Sequence, residues 1–174
     1  MKTYKLCKIK DNKLYPLYVN TNEELRLNEW LIAKEGEKKN GKVKSKLGLL
    51  AYRPGFHSSS LPCAKHIGKK SPIGLLQKKD TVWVECEVLD LIDYTPLAKA
   101  IGNGVARKSQ LDFIAQGGYY EYKTNTNADD NIIWIISGEL KINKILSNKE
   151  VKKICLDNGI EPQITEEEYY GSNN

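Results

Sequence analysis

The segment Thr81 to Val88 sets Val82, Val84, Cys86 and Val88 on one side and Trp83, Glu85 and Glu87 on the other, a period of two that fits a strand and no helix. It constrains the fold because its neighbours also read as strands. Thr3 to Ile9 and Leu14 to Val19 form a predicted hairpin about Asp11 and Asn12. Tyr119 to Lys123 is aromatic, Ile132 to Ile136 is apolar on both faces as in a central strand, and Ser137 and Gly138 turn the chain into an alternating Leu140 to Leu146. Strands outnumber helices and no βαβ rhythm is visible. The expectation is an α+β domain with a curved, mostly antiparallel sheet and a few short helices.

Helices are predicted in four places. Asn22 with Glu23 and Glu24 reads as the cap of a helix carrying Leu25, Leu27, Trp30, Leu31 and Ala33, stopped by Gly36. Short helices are expected around Leu97 to Ile101 and Ser109 to Ala115, the latter ended by Gly117 and Gly118. Ser147 caps the last, which carries Val151, Ile154 and Cys155 and ends at Asn158 and Gly159. Glu37 to Ser45 reads as a mobile loop turning at Asn40 and Gly41, Leu47 to Tyr52 as a short buried strand, Ser58 to Asp80 as a long irregular loop, and Thr124 to Asn131 as a polar turn. With 174 residues, the chain fits one domain over 1–162, followed by an acidic tail, 163–174, expected to be disordered.

The chain has only two histidines, and both lie between Gly48 and Gly68. Arg53 precedes Pro54, which holds it extended, and Gly55 permits a sharp turn that redirects Phe56 and His57. An arginine grips phosphate through parallel hydrogen bonds, and a neutral imidazole takes a proton from a hydroxyl or water. Arg53, His57 and His66 are therefore the candidate catalytic residues, sufficient for metal-free RNA cleavage if one imidazole activates the 2′-hydroxyl and the other protonates the leaving oxygen. Ser58, Ser59 and Ser60 add hydroxyls beside them.

The formal charge of +5 is unevenly spread. Lysines crowd residues 34–46 and 65–79, an asymmetry that favours a polyanionic partner, RNA above all or a host ribonucleoprotein. Lys42, Lys44, Lys46, Lys69 and Lys70 are the candidate nucleic-acid contacts, with Tyr120 as a stacking surface and Lys123 as added charge. Glu85, Glu87, Glu121 and Glu139 are the strand carboxylates able to act as a base or orient a histidine. Cys7, Cys63, Cys86 and Cys155 form no C-x-x-C pair and imply reduced thiols in a cytoplasmic protein. No apolar run approaches the roughly 20 residues needed to span a membrane. No metal site or cofactor is expected; Cys63 and His66 are the nearest approach to a ligand pair and fall short of a zinc set.

The run from Lys44 to His57, with Pro62, Ala64, His66, Ile67 and Gly68 after it, resembles an uncharacterised domain encoded by bacteriophages and other mobile elements. That family often has tryptophan where this chain has Phe56. Val82 to Glu87 and Gly117 to Leu146, including Gly118, Tyr119, Tyr120, Lys123, Thr124, Asn125 and the turn from Ser137 to Lys141, are similar to it as well. The resemblance implies a phage-type accessory protein in the bacterial host cytoplasm, for which interference with host defence, including anti-CRISPR action, is a natural task. Three readings stand open: a metal-independent ribonuclease or guide RNA antagonist; an ADP-ribosyltransferase-like enzyme with Arg53 or His57 on NAD, Tyr119 or Tyr120 on nicotinamide and Glu121 or Glu139 activating the acceptor; and a noncatalytic inhibitor that blocks a protein surface.

Overall fold

The computed structural model describes residues 1–124 and 131–172. Its strands are β1 (Lys2–Lys10), β2 (Lys13–Tyr15), β3 (Trp30–Ile32), β4 (Lys38–Lys39), β5 (Lys42–Ser45), β6 (Gly48–Ala51), β7 (Phe56–Ser59), β8 (Lys69–Ser71), β9 (Gly74–Leu76), β10 (Thr81–Val88), β11 (Ile92–Asp93), β12 (Gly118–Tyr122), β13 (Trp134–Ser137) and β14 (Glu139–Ile145). Three helices accompany them: α1 (Thr95–Ile101), α2 (Asn148–Asp157) and α3 (Glu166–Ser172). The main sheet runs β11-β12-β13-β7-β1-β10-β14-β3, with β2 added to β1. Among the described strands of this sheet only β11 and β12 pair in parallel, so the α+β, mostly antiparallel expectation holds for one compact domain.

The strongest sequence patterns become the central elements. β10 lies between β1 and β14 and sends Val84, Cys86 and Val88 into a core with Cys7, Leu14, Leu25, Leu140 and Ile142. Its other face is covered too. Trp83, 1% exposed, packs with Tyr4, Leu6 and Trp134 against Val151 and Cys155 of α2. Ser147 caps α2 reciprocally: its hydroxyl accepts from the Glu150 amide at 3.1 Å while the Glu150 carboxylate accepts from the Ser147 amide at 2.8 Å. A third cluster, Ala98, Leu111, Ala115, Tyr120 and Ile136, lies beneath α1.

Several expectations fail for identifiable reasons. The segment 22–36 is not helical: Asn28 sits at a φ of 62°, Leu25 drops into the core and Trp30–Ile32 adds to β14 as an edge strand. Tertiary pairing overrides a helical spacing. Glu37 to Ser45 is a hairpin, β4 with β5, turning at Asn40 and Gly41 as expected of those two residues. β6 pairs with β5 in a separate three-stranded sheet and leaves Leu47 and Leu49 exposed, so it is not buried. The expected loop from Ser58 to Asp80 begins with the end of β7 and contains the β8–β9 hairpin. Instead of a helix, residues 106–108 form a single 3-10 turn, and Leu111 and Ala115 then wrap over Tyr120 and Ile136. The expected polar turn falls largely on residues outside those described.

The tail corrects the expected disorder. Gln163 donates to the carbonyls of Ile67 and Leu75 at 2.8 and 2.9 Å, Thr165 bridges Gln77, and the Glu166 carboxylate accepts from the Lys79 amide. Polar groups hold residues 163–172 against β8 and β9, which is why hydrophobic content does not reveal the docking.

A junction in the sheet positions the site. β7 pairs with β13 over four residues but with β1 only through Tyr4 and Ser59. Beyond that bridge the two strands diverge.

Candidate binding cavity at the sheet fork

The divergence opens a cavity of about 1210 Å³ whose lining includes Lys5 and Leu6 from β1, Phe56 and His57 from β7, and Arg53, His66, Tyr122 and Trp134. The three candidate catalytic residues thus share one cavity. Small-molecule pockets usually enclose about 300–1,000 Å³, so this volume suits a larger ligand.

Gly55 makes the approach of this segment possible. Its φ is 136°, and a Cβ there would lie 2.5 Å from the Ile136 side chain and 2.9 Å from the Ser137 carbonyl oxygen. The chain can therefore leave Pro54 and run directly into β7 beside β13. His57 follows with both ring nitrogens engaged. Nε2 lies 3.0 Å from the Arg53 carbonyl oxygen, which can only accept, so Nε2 carries the proton; Nδ1 then accepts from the Tyr122 hydroxyl at 3.2 Å. The rings of His57 and Tyr122 meet edge to face at 5.3 Å.

Removal from bulk water lowers the His57 pKa to about 4, with the Lys5 and Arg53 charges adding to the effect and the bond to the Arg53 carbonyl opposing it. His66 stands edge to face on Trp134 at 5.1 Å, and burial lowers its pKa as well. Both imidazoles are neutral at pH 7. Cleavage by two imidazoles requires one of them as imidazolium, and neither environment favours that form.

Lys5 and Arg53 supply the charge. Lys5 Nζ donates to the His57 carbonyl at 3.0 Å, linking β1 to β7. Arg53 donates through Nε to Gln110 and holds its guanidinium 6.0 Å from the Tyr122 ring centre. Among the described residues neither cation forms an ion pair, whereas Lys34 and Arg26 at the same cavity are matched by Glu23 and Glu24. Glu29 is the remaining carboxylate of the lining and is exposed. Trp30, 45% exposed, presents its ring at the rim with Lys141 Nζ 5.5 Å from its centre.

The other candidates divide. Lys46 lines a small neighbouring cleft of about 190 Å³ together with Lys8 and Lys78, and this cleft shares Leu6, Leu17, Tyr18, Leu47 and Ile67 with the large cavity. Lys42 and Lys44 flank Val43, which lines the cavity, so strand alternation turns them to the opposite face; Lys44 also pairs with Glu37 at 2.7 Å. Lys69 is bound by Glu166 at 3.1 Å and lies over Tyr170, while Lys70 is exposed on the β8–β9 hairpin. Lys123 is exposed next to Tyr122.

Tyr120 is corrected outright as a stacking residue: it is 0% exposed, sealed beneath α1 with Leu111 and Ala115. None of the four strand carboxylates lines the cavity; Glu139 accepts from the Gly117 amide, Glu87 pairs with Lys141 and Glu85 with Lys2. Among the described residues no group of three histidine, cysteine or acidic side chains is placed to hold a metal, and no helix is long and apolar enough to cross a membrane.

Tyr122 belongs to the aromatic run from Tyr119 to Lys123 that reads from sequence as a stacking surface, whereas Lys5 is not singled out there. Lys5 had a recognisable mark, since it falls between Thr3 and Cys7 on the inward face of a strand, where an ionised group needs a reason to be. No protein-family model matches this chain, and no curated protein or solved structure matches it.

Proposed function

We propose that this chain binds RNA in the fork cavity, as free RNA or within a host ribonucleoprotein, and does not cut it. The observation that carries this reading is the pair of cations, Lys5 and Arg53, that line the cavity without a carboxylate partner among the described residues. Both are half-buried, and an anionic ligand would pair charges that are partly removed from water. The exposed ring of Trp30 suits an unstacked base, and Lys46 and Lys78 flank the side cleft, where Lys8 pairs with Asp80 at 3.9 Å. In the phage context implied by the resemblance, the bound RNA is the guide of a defence complex and occupancy is the inhibitory act.

The test is binding of a labelled single-stranded RNA in the presence of chelator, with cleavage followed on a gel. Expected are salt-sensitive binding, weakening by about tenfold or more in Arg53→Gln, the loss of a charge-assisted contact, and intact RNA throughout. Cleavage that disappears in His57→Ala would overturn the noncutting reading. Absence of binding at low salt would overturn the RNA reading altogether.

A further inference from the structure

Resting on the RNA reading, we infer that the tip of the β4–β5 hairpin is a second contact for the RNA, where Lys39 and Lys42 hold the phosphodiester backbone of the strand outside the cavity. Asn40 and Gly41 turn this hairpin at φ values of 52° and 72°, a two-residue turn that fixes the register on either side of it. Lys38 then lies opposite Val43, and Lys39 opposite Lys42. Val43 lines the cavity and Lys38 Nζ stands 4.1 Å from the centre of the Tyr52 ring, so that pair faces inward. Alternation places Lys39 and Lys42 on the outer face, where both are exposed. One sheet thus forms cavity wall on one side and presents two lysines on the other, next to any strand that leaves the cavity.

Like charges directly opposite each other on paired strands are destabilising, and this pair is not offset. Ala51, the neighbour of Lys42 on β6, carries no charge, and Glu37 is spent on Lys44 at 2.7 Å. Among the described residues neither Lys39 nor Lys42 forms an ion pair. The hairpin of β1 and β2 sets Lys10 opposite Lys13 in the same way, but it carries Asp11 in its turn and neither lysine lines the cavity or the side cleft. An anion placed between Lys39 and Lys42 relieves their repulsion. Directly opposite residues hold their Cβ atoms about 4.5–5.5 Å apart, so two ammonium groups on flexible stems can close on the two terminal oxygens of one phosphodiester. Such a contact positions the strand and is indifferent to its sequence.

The experiment titrates the labelled single-stranded RNA over a range of salt against wild type, Lys39→Gln/Lys42→Gln and, as a control matched in charge and geometry, Lys10→Gln/Lys13→Gln. Expected for the first variant is an affinity about three- to tenfold lower at low salt, the loss of exposed ionic contacts. Its slope of log affinity against log salt should be shallower by about 0.7 for the phosphate released, with the control close to wild type. Equal losses in the two double variants, or no loss in Lys39→Gln/Lys42→Gln, would overturn the hairpin contact; weakened binding in Arg53→Gln would leave the cavity reading standing. Absence of RNA binding by wild type would remove both. Phosphatidylserine vesicles and polyglutamate are tested in parallel: binding of either that depends on the two lysines, with RNA binding unchanged, would reassign the tip to a lipid or acidic protein surface and overturn its assignment to RNA. Both side chains are exposed, so the variant keeps the fold, with a urea midpoint at or above that of wild type; a lower midpoint would overturn the like-charge argument.

Discussion

Lowering the pH from 7 to 5 should weaken this protein through His57 by an amount that its surroundings fix. Burial between Tyr122 and the Arg53 carbonyl, beside Lys5 and Arg53, brings its pKa from 6.5 to about 4. The unfolded chain therefore takes up a proton that the folded chain refuses. The contribution of the neutral ring is fully present above pH 6.5 and is lost as the pH falls toward 4. At pH 5 the loss is about 2 kcal/mol, from the ratio of protonation in the two states at roughly 1.4 kcal/mol per pH unit. For a domain of this size that corresponds to a fall of about 4–8 °C in Tm. Other groups titrate over the same interval, so the assay is a difference: thermal or urea unfolding of wild type and His57→Gln at pH 7 and at pH 5. Glutamine keeps a donor near the Arg53 carbonyl and cannot ionise. Wild type should lose about 2 kcal/mol more than the variant between the two pH values. Parallel losses would refute the argument, because His57 would then titrate alike in both states.

Further outcomes follow from the same geometry. Gly55→Ala should destabilise by about 3 kcal/mol or more, since a strained φ combines with a methyl driven into Ile136 and the Ser137 carbonyl; urea unfolding reads it, and a wild-type midpoint would contradict the close approach. Ser147→Ala removes the reciprocal cap of α2 and should cost about 1 kcal/mol by the same measurement. Tyr122→Phe leaves the His57 Nδ1 acceptor without its donor and should cost about 1–3 kcal/mol. Truncation after residue 162 strips the Ile67 and Leu75 carbonyls of their Gln163 donor, and limited proteolysis should then cut near β8 and β9 faster than in the intact chain.

Particular residues show what could be read from the chain alone. β10, β13 and β14 were legible because strict alternation or continuous apolar character leaves few alternatives, and α2 because Ser147 and Glu150 form a local cap. Leu25, Leu27, Trp30 and Leu31 misled because their spacing fits a helix, while their destination is decided by β14, over a hundred residues later. The cavity was half legible. A conformationally unusual Arg-Pro-Gly-Phe-His run marks its own locality, so Arg53, His57 and His66 were found. The state of His57 was not, because its partner Tyr122 lies 65 residues away and its desolvation belongs to the assembled sheet. Tyr120 and Tyr122 look alike in sequence, yet only one lies entirely beneath α1.

The place of β1 in the sheet has a consequence for synthesis. It is made well before its long partner β10, with pairs running from Lys2 and Glu87 to Lys8 and Thr81. At about 5–20 residues per second, a ribosome leaves β1 without that partner for several seconds or longer. During that interval Leu6 and Cys7, destined for opposite cores, remain exposed on a strand with open edges. A nascent chain halted before β10 leaves both apolar faces of β1 uncovered, the kind of exposed surface that favours aggregation.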